Sequence, residues 1–197
     1  SFASDSKKFN NLINVPLDMM KDKPQECTKY YSDQVCDAIS KLSQRLDWNV
    51  IDKVLQAIHD SDSVAFFGTQ FSHSAALHFQ TDLLMLEKFT MAYMETERQI
   101  DCARLMDENS VAIIVTVNGF YARSKSKVLQ YLKKSKCKVV LMTNNPGIDI
   151  GINVNYTIVL GDSEQRKIGK HTLLTAVELM SLRYYSLYYP GIQEKII

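Results

Sequence analysis

The spacing of apolar residues along the chain changes near Asp60. Before it, apolar side chains recur every three or four positions, which is the spacing of one helix face. A helix is predicted over residues 27–46, and its apolar face consists of Tyr31, Val35, Ile39, Leu42 and Leu46. A second, shorter helix is predicted after Asp47, because an aspartate carboxylate readily caps the N–H groups of a first helical turn.

After Asp60, short runs rich in β-branched and aromatic residues alternate with longer helical patterns. The predicted strands cover residues 64–67, 89–94, 111–116, 139–142 and 156–160, and the predicted helices cover 72–87, 96–106, 121–135 and 168–188. This alternation indicates βαβ units, in which a mostly parallel sheet carries helices on both faces. Since such crossovers are almost always right-handed, we predict a three-layer α/β fold with an N-terminal helical extension. Its five-stranded, parallel, doubly wound sheet has the flavodoxin-like order 2-1-3-4-5.

Two of the predicted strands run directly into polar loops that contain glycine. The first strand is followed by residues 68–72 (Gly-Thr-Gln-Phe-Ser), and the third is followed by residues 116–119 (Thr-Val-Asn-Gly). In the order 2-1-3-4-5 these loops leave adjacent strands that wind in opposite directions, which is where open α/β sheets bind ligands. The sequence therefore places a candidate site at the carboxyl edge of the sheet.

The residue types in these loops are suited to an anion. Each loop precedes a predicted helix, so backbone N–H groups and the positive end of the helix dipole face the site. The candidate ligand-binding residues of the two loops are Gly68, Gln70, Ser72, Thr116, Asn118 and Gly119. Residues of these types also cap helices without binding any ligand, and the pattern by itself favours neither interpretation.

Composition narrows the class of protein. The chain has 197 residues and a mass of 22.5 kDa, which suits one domain with a sizeable core. Its 23 Lys and Arg residues nearly balance 22 Asp and Glu residues, so overall charge gives no affinity for nucleic acid or an anionic membrane. The four cysteines form no CxxC pair and no metal-ligand spacing, so we expect free thiols, a cytoplasmic protein and neither a metal nor a cofactor.

Two segments carry a resemblance to a known family. Residues 64–84 (VAFFGTQFSHSAALHFQTDLL) resemble the opening of a sugar isomerase (SIS) domain, in which a strand, a glycine-containing loop with serine and a helix follow one another. Residues 113–121 (IIVTVNGFY) and 139–146 (VVLMTNNP) are similar to its second half, where a Ser-x-Ser-Gly loop leads into a helix and then a strand ending in Thr. Within SIS domains, the chain looks closest to the effector-binding part of RpiR-type bacterial transcriptional regulators.

The resemblance implies a phosphosugar ligand. Ser72 matches the serine that closes the first loop of the family. Thr116 and Gly119 match the first serine and the glycine of the second loop, and Asn118 stands where the second serine is usual.

Three positions depart from the family pattern. Gln70 replaces a common Gly or Ser, and Phe71 replaces a small or polar residue. Tyr121 replaces a threonine that often touches phosphate, and by that match it is also a candidate ligand-binding residue. The two aromatic residues add bulk where a phosphate would sit. A different sugar phosphate, an unphosphorylated metabolite and a degenerate pocket therefore all stay open.

Two histidines near the loops are weighed as well, one from the resemblance and one from its position in a helix. The start of the C-terminal helix approaches the ligand site in SIS proteins, which makes His171 a further candidate for ligand binding. His73 lies in the first turn after the first loop, where it could face either the ligand or solvent; we slightly favour solvent.

The function implied by the resemblance is that of an effector-binding, sugar-phosphate-sensing domain rather than an enzyme. Residues 1–46 are predicted as a helical linker and residues 47–197 as the SIS-like domain. DNA is expected to be contacted only through a helix-turn-helix domain absent from this chain, and the missing initial Met would fit its removal. We also expect a homodimer and no membrane contact. The alternatives are a phosphosugar isomerase using the same crevice and an interaction domain with a degenerate pocket.

Overall fold

The computed structural model describes residues 17–117, 119–161 and 169–189. The N-terminal part of these is helical, with α1 (Leu17–Asp22), α2 (Pro24–Arg45) and α3 (Trp48–Asp60). The predicted cap at Asp47 is confirmed, because its Oδ1 accepts hydrogen bonds from the N–H groups of Asn49 and Val50. A carboxylate there also interacts favourably with the dipole of α3.

Strands and helices then alternate to the end of the described chain. In order they are β1 (Ser63–Phe67), α4 (Phe71–Met85), β2 (Met91–Ala92), α5 (Thr96–Leu105), β3 (Ser110–Val115), α6 (Phe120–Ser124), α7 (Ser126–Ser135), β4 (Lys138–Thr143), β5 (Tyr156–Val159) and α8 (Gly169–Tyr188). Every strand pairing in the sheet is parallel, and the order is β2-β1-β3-β4-β5. The predicted fold class and strand order are confirmed.

The core has two halves, one on each face of the sheet. Because neighbouring strand residues point to opposite faces, Val64 and Phe66 join one apolar cluster while Ala65 and Phe67 join the other. The first cluster includes buried residues of α3, α4 and α8, and the second includes those of α5, α6 and α7. The sheet is thus the middle of three layers. Within the described ranges, no helix is long and apolar enough to cross a membrane.

Two elements differ from their predicted lengths. The second strand was predicted over residues 89–94, but only Met91–Ala92 pairs with β1. The carbonyl groups on either side accept side-chain amides instead, from Gln80 at Thr90 and from Gln99 at Tyr93.

The single helix predicted over residues 121–135 is divided into α6 and α7 at Lys125. The backbone of Lys125 leaves helical geometry, with φ −125° and ψ 38°, and its ammonium group donates to the hydroxyl of Thr96 on α5.

Helix α2 packs on the body of the fold. Cys27, Ala38 and Leu42 are buried, and Leu42 belongs to the same apolar cluster as α8. The Tyr31 hydroxyl is also hydrogen-bonded to Nε2 of His171, at 2.5 Å. The domain division at residue 46 stays a prediction.

Candidate functional site

The two candidate loops leave neighbouring strands at the same edge of the sheet. β1 and β3 pair in register up to Phe67 and Ile114, so residues 68–70 and 116–117 emerge side by side. The first loop leads into α4 and the second into α6. From β1 the neighbouring strand is β2 on one side and β3 on the other, which makes this the point where strand order reverses.

A buried glutamine on α5 ties the first loop to α6, the helix that follows the second loop. Nε2 of Gln99 donates to the carbonyl of Gly68 at 3.0 Å, and its Oε1 accepts the hydroxyl of Tyr121 at 2.6 Å. Nε2 also donates to the carbonyl of Tyr93 at 2.7 Å, so the loop after β2 is held by the same side chain. Gln99 is 1% exposed, and each of these bonds is therefore shielded from competition with water.

The first loop exposes side chains and holds an unusual backbone conformation. Gln70 has φ 51° and ψ −123°, in the region that glycine adopts far more easily than residues with a Cβ. Its carbonyl accepts the N–H groups of His73 and Ser74, while Ser72 donates its own N–H to the Thr69 carbonyl. A Cβ on Gly68 would lie 3.1 Å from that of Ser72, so the start of α4 packs tightly against the end of β1.

The first and last residues of the second loop, Thr116 and Gly119, are buried. Thr116 is 3% exposed, and its Oγ1 accepts the N–H of Tyr121 in α6, which is a capping role. Gly119 has φ 74°, and a Cβ there would lie 2.1 Å from Cδ1 of Ile148. Asn118, the remaining candidate of this loop, lies outside the described residues.

The Tyr121 side chain lies in the core, contrary to the ligand contact predicted for it. It is 1% exposed and packs in the apolar cluster of α5 and α7. Burial raises the pKa of its phenol, which keeps the hydroxyl protonated as a donor to Gln99. The aromatic bulk expected in the pocket at this position is thus turned inward. Phe71, the other bulky departure, is 36% exposed.

His171 lies in the first turn of α8, as predicted, and its imidazole is bonded to Tyr31 of α2. Burial lowers the pKa of His171, and the charge of Lys170 lowers it further. The hydrogen bond to Tyr31 therefore involves a predominantly neutral ring at pH 7. Whether its free ring edge reaches a ligand stays a prediction.

His73 is buried, and the expectation that it faces solvent is wrong. It is 8% exposed and continues the inward stripe of α4 formed with Ala76 and Phe79. Burial lowers the pKa of His73, and the negative charge of Glu95 offsets part of that effect. The i, i+3 spacing of these three residues was a signal in the sequence for this orientation.

Asn144, which follows β4, is a further polar residue at this edge. Its backbone N–H donates to the carbonyl of Val117 in the second loop at 3.3 Å, and its side chain is 1% exposed. In the described part of the chain, no three His, Cys, Asp or Glu side chains lie close enough together to hold a metal ion.

Comparison with known proteins gives the fold class. No protein-family model matches the sequence, and no curated protein matches it. Solved structures do match. The NanR protein of Vibrio vulnificus complexed with ManNAc-6P has a TM-score of 0.74 at 14% identity, covering 89% of this chain and 69% of that chain. Phosphoheptose isomerase GmhA from Neisseria gonorrhoeae has a TM-score of 0.71 at 13% identity, covering 84% of this chain and 100% of that chain.

The chain therefore has the fold of the sugar isomerase domain. A further match is that domain of an RpiR transcription factor from Sphaerobacter thermophilus, with a TM-score of 0.67 at 15% identity, covering 81% of this chain and 89% of that chain. The resemblance found in the sequence, to the SIS domain of RpiR-type regulators, is confirmed at the level of the fold. Regulators and isomerases both share this fold.

Proposed function

We propose that the protein is the effector-binding domain of an RpiR-type transcriptional regulator and senses a sugar phosphate. The observation that carries the proposal is the bridge through Gln99, which holds the loop after β1 against the helix that follows the loop after β3. We infer an anion site between these loops, formed by the half-buried hydroxyl of Ser72, the positive end of α4 and the hydroxyl of Thr116, which is 3% exposed and already accepts the N–H of Tyr121.

The related structures support the same ligand class. The NanR protein is complexed with ManNAc-6P, and GmhA is a phosphoheptose isomerase. For the present chain a sugar phosphate is therefore the ligand class that loop chemistry and fold together favour. Binding would regulate DNA contact by preferring one dimer arrangement, typically by about 1–3 kcal/mol.

The test is removal of the two hydroxyls. A thermal-shift panel of aldose and ketose phosphates first selects the sugar phosphate that stabilises the wild-type chain most. Calorimetry then measures its affinity for the Ser72→Ala/Thr116→Ala variant, which we expect to bind no detectable ligand. Ser43→Ala, an exposed serine on α2, is the matched control and should bind as the wild type does. Unchanged affinity of the double variant would refute the site.

A phosphosugar isomerase is the second candidate, and His73 favours it. A histidine whose pKa is lowered by burial, with the charge of Glu95 raising it in part, is the type of group that moves protons between sugar carbons. Incubation with aldose and ketose phosphates in deuterated water, followed by NMR, distinguishes the two candidates. An isomerase would exchange a carbon-bound proton of the sugar for deuterium, and His73→Gln would abolish that exchange. This result would overturn the sensor.

The assembly and location of the proposed sensor follow from the same family reasoning. We propose a homodimer formed through the outer side of α8, where Leu174, Leu182 and Leu187 are exposed. A groove of about 680 Å³ between α4 and α8 lies beside Leu182. Sedimentation as a monomer at every concentration would contradict the dimer. DNA binding through a separate helix-turn-helix domain and a cytoplasmic location complete the proposal.

A further inference from the structure

The side-chain amide of Asn144 lacks hydrogen-bond partners. Among the described residues, the buried side-chain atoms without a partner are Oγ1 of Thr90 and both amide atoms of Asn144. Each buried polar group left unpaired costs about 1–3 kcal/mol. A residue that carries two of them at the carboxyl edge of the sheet needs an explanation in terms of function or partner.

The unpaired amide is directed at the start of α8. A Cβ built on Gly169 would lie 3.0 Å from Nδ2 of Asn144 and 2.8 Å from Cγ1 of Val117. The amide therefore lies between the second loop and the first turn of α8, two residues before His171. That turn also has backbone N–H groups without partners within the helix, as every helix does at its N-terminus.

The chemistry of an amide decides what it can bind. Its NH₂ group donates and its carbonyl oxygen accepts, whereas a phosphate at neutral pH mainly accepts. A phosphate placed there would bond the NH₂ and leave the carbonyl facing a negative charge. Two neighbouring sugar hydroxyls satisfy both ends, because each hydroxyl donates and accepts.

We propose that Asn144 binds the hydroxyl groups of the sugar, while the loops after β1 and β3 bind its phosphate. This inference rests on the proposed function, since it divides one sugar phosphate between two parts of the same site. Both amide atoms are closed to solvent, so the first turn of α8 must shift outward for the hydroxyls to enter. The gain in hydrogen bonds on binding compensates for that movement.

The experiment compares Asn144→Leu with the wild type. Leucine keeps the branched shape and removes both unpaired groups, so the variant should be at least as stable as the wild type. Asn144→Ala is a second variant that removes the amide without adding bulk. Asn109→Leu, an exposed asparagine before β3 at the opposite edge of the sheet, is the matched control. The probes are the sugar phosphate selected by thermal shift and inorganic phosphate, with affinities measured by NMR titration.

We expect both Asn144 variants to bind the sugar phosphate about tenfold or more weakly. Their affinity for inorganic phosphate should stay within about twofold of the wild type, because the loops are intact. Unchanged sugar-phosphate affinity would overturn the role of Asn144 and leave the proposed function standing. An equal loss for both probes would also overturn it, since the amide would then serve the phosphate or the loops. If no sugar phosphate binds the wild type, both the proposed function and this inference fail.

Discussion

The loops after β1 and β3 lie side by side at one edge of the sheet, yet they are built differently. In the first loop Gln70 is exposed and holds a backbone conformation that favours glycine. In the second, Thr116 is buried and bonded to α6, and Gly119 leaves no room for a side chain. The described residues of the second loop are thus tightly packed, whereas the first loop has a strained backbone at Gln70.

This difference indicates how the proposed site would respond to a ligand. A strained segment persists only when its surroundings hold it, and such segments concentrate where ligands bind. Binding that relieves the conformation of Gln70 would therefore act on the first loop, while the second loop keeps its shape. Gln99 bonds the first loop and the helix that follows the second loop, so changes at Gln99 test whether the two regions act as one unit.

The largest effect is expected from Gln99→Leu. It leaves the Gly68 carbonyl and the Tyr121 hydroxyl buried without partners, which should lower the free energy of unfolding by about 3–5 kcal/mol. Tyr121→Phe is the partner variant and should cost less. In the double variant the unpaired hydroxyl is gone, so its cost should be smaller than the sum of the single costs. Urea unfolding of all four proteins measures this coupling, and additive costs would contradict the bridge.

Gly119→Ala should have the next largest effect, about 2–3 kcal/mol of destabilisation. Alanine costs energy at a φ of 74°, and its methyl group forces Ile148 to move. Gly151→Ala is a matched control, because Gly151 has φ 77° with nothing within 4 Å of a Cβ, so only the backbone cost remains. Equal destabilisation of the two variants in thermal unfolding would show that the second loop is not tightly packed.

The smallest effect, and the one of opposite sign, is expected from Gln70→Gly. Glycine adopts the φ of 51° without steric cost, so the variant should gain about 1 kcal/mol in stability. The gain should appear as a higher midpoint in thermal unfolding. A loss of stability would mean that the side chain of Gln70 makes up for its backbone strain, and the contrast between the two loops would disappear.

The sequence was sufficient to predict the fold because the fold depends on features that periodicity reports. The alternation after Asp60 and the rule of right-handed crossovers led to the order β2-β1-β3-β4-β5. The cap at Asp47 was predicted from residue type alone and is present. β2 was predicted too long, because side-chain amides from other elements bind its flanking carbonyls, and no local pattern shows that.

Of the candidate site, only the position of the two loops could be predicted. The two loops could be located from strand ends, but Gln99 and Asn144 were missed, because polar residues are usually exposed. A signal for Gln99 existed, since it lies four residues before buried Ala103 on the inward face of α5. Asn144 had no such signal, because its burial depends on Gly169, 25 positions further along the sequence.

The contact between Tyr31 and His171 has a mechanical consequence. Helix α2 has 22 residues and is about 33 Å long, and Leu42 anchors one end of it in the core. Cys27 and Ala38 are also buried, so α2 is held along most of its length and not at Leu42 alone. Tyr31 lies between these two anchors and bonds His171. The start of α8 is therefore braced by a long helix from an earlier part of the chain, which resists its displacement.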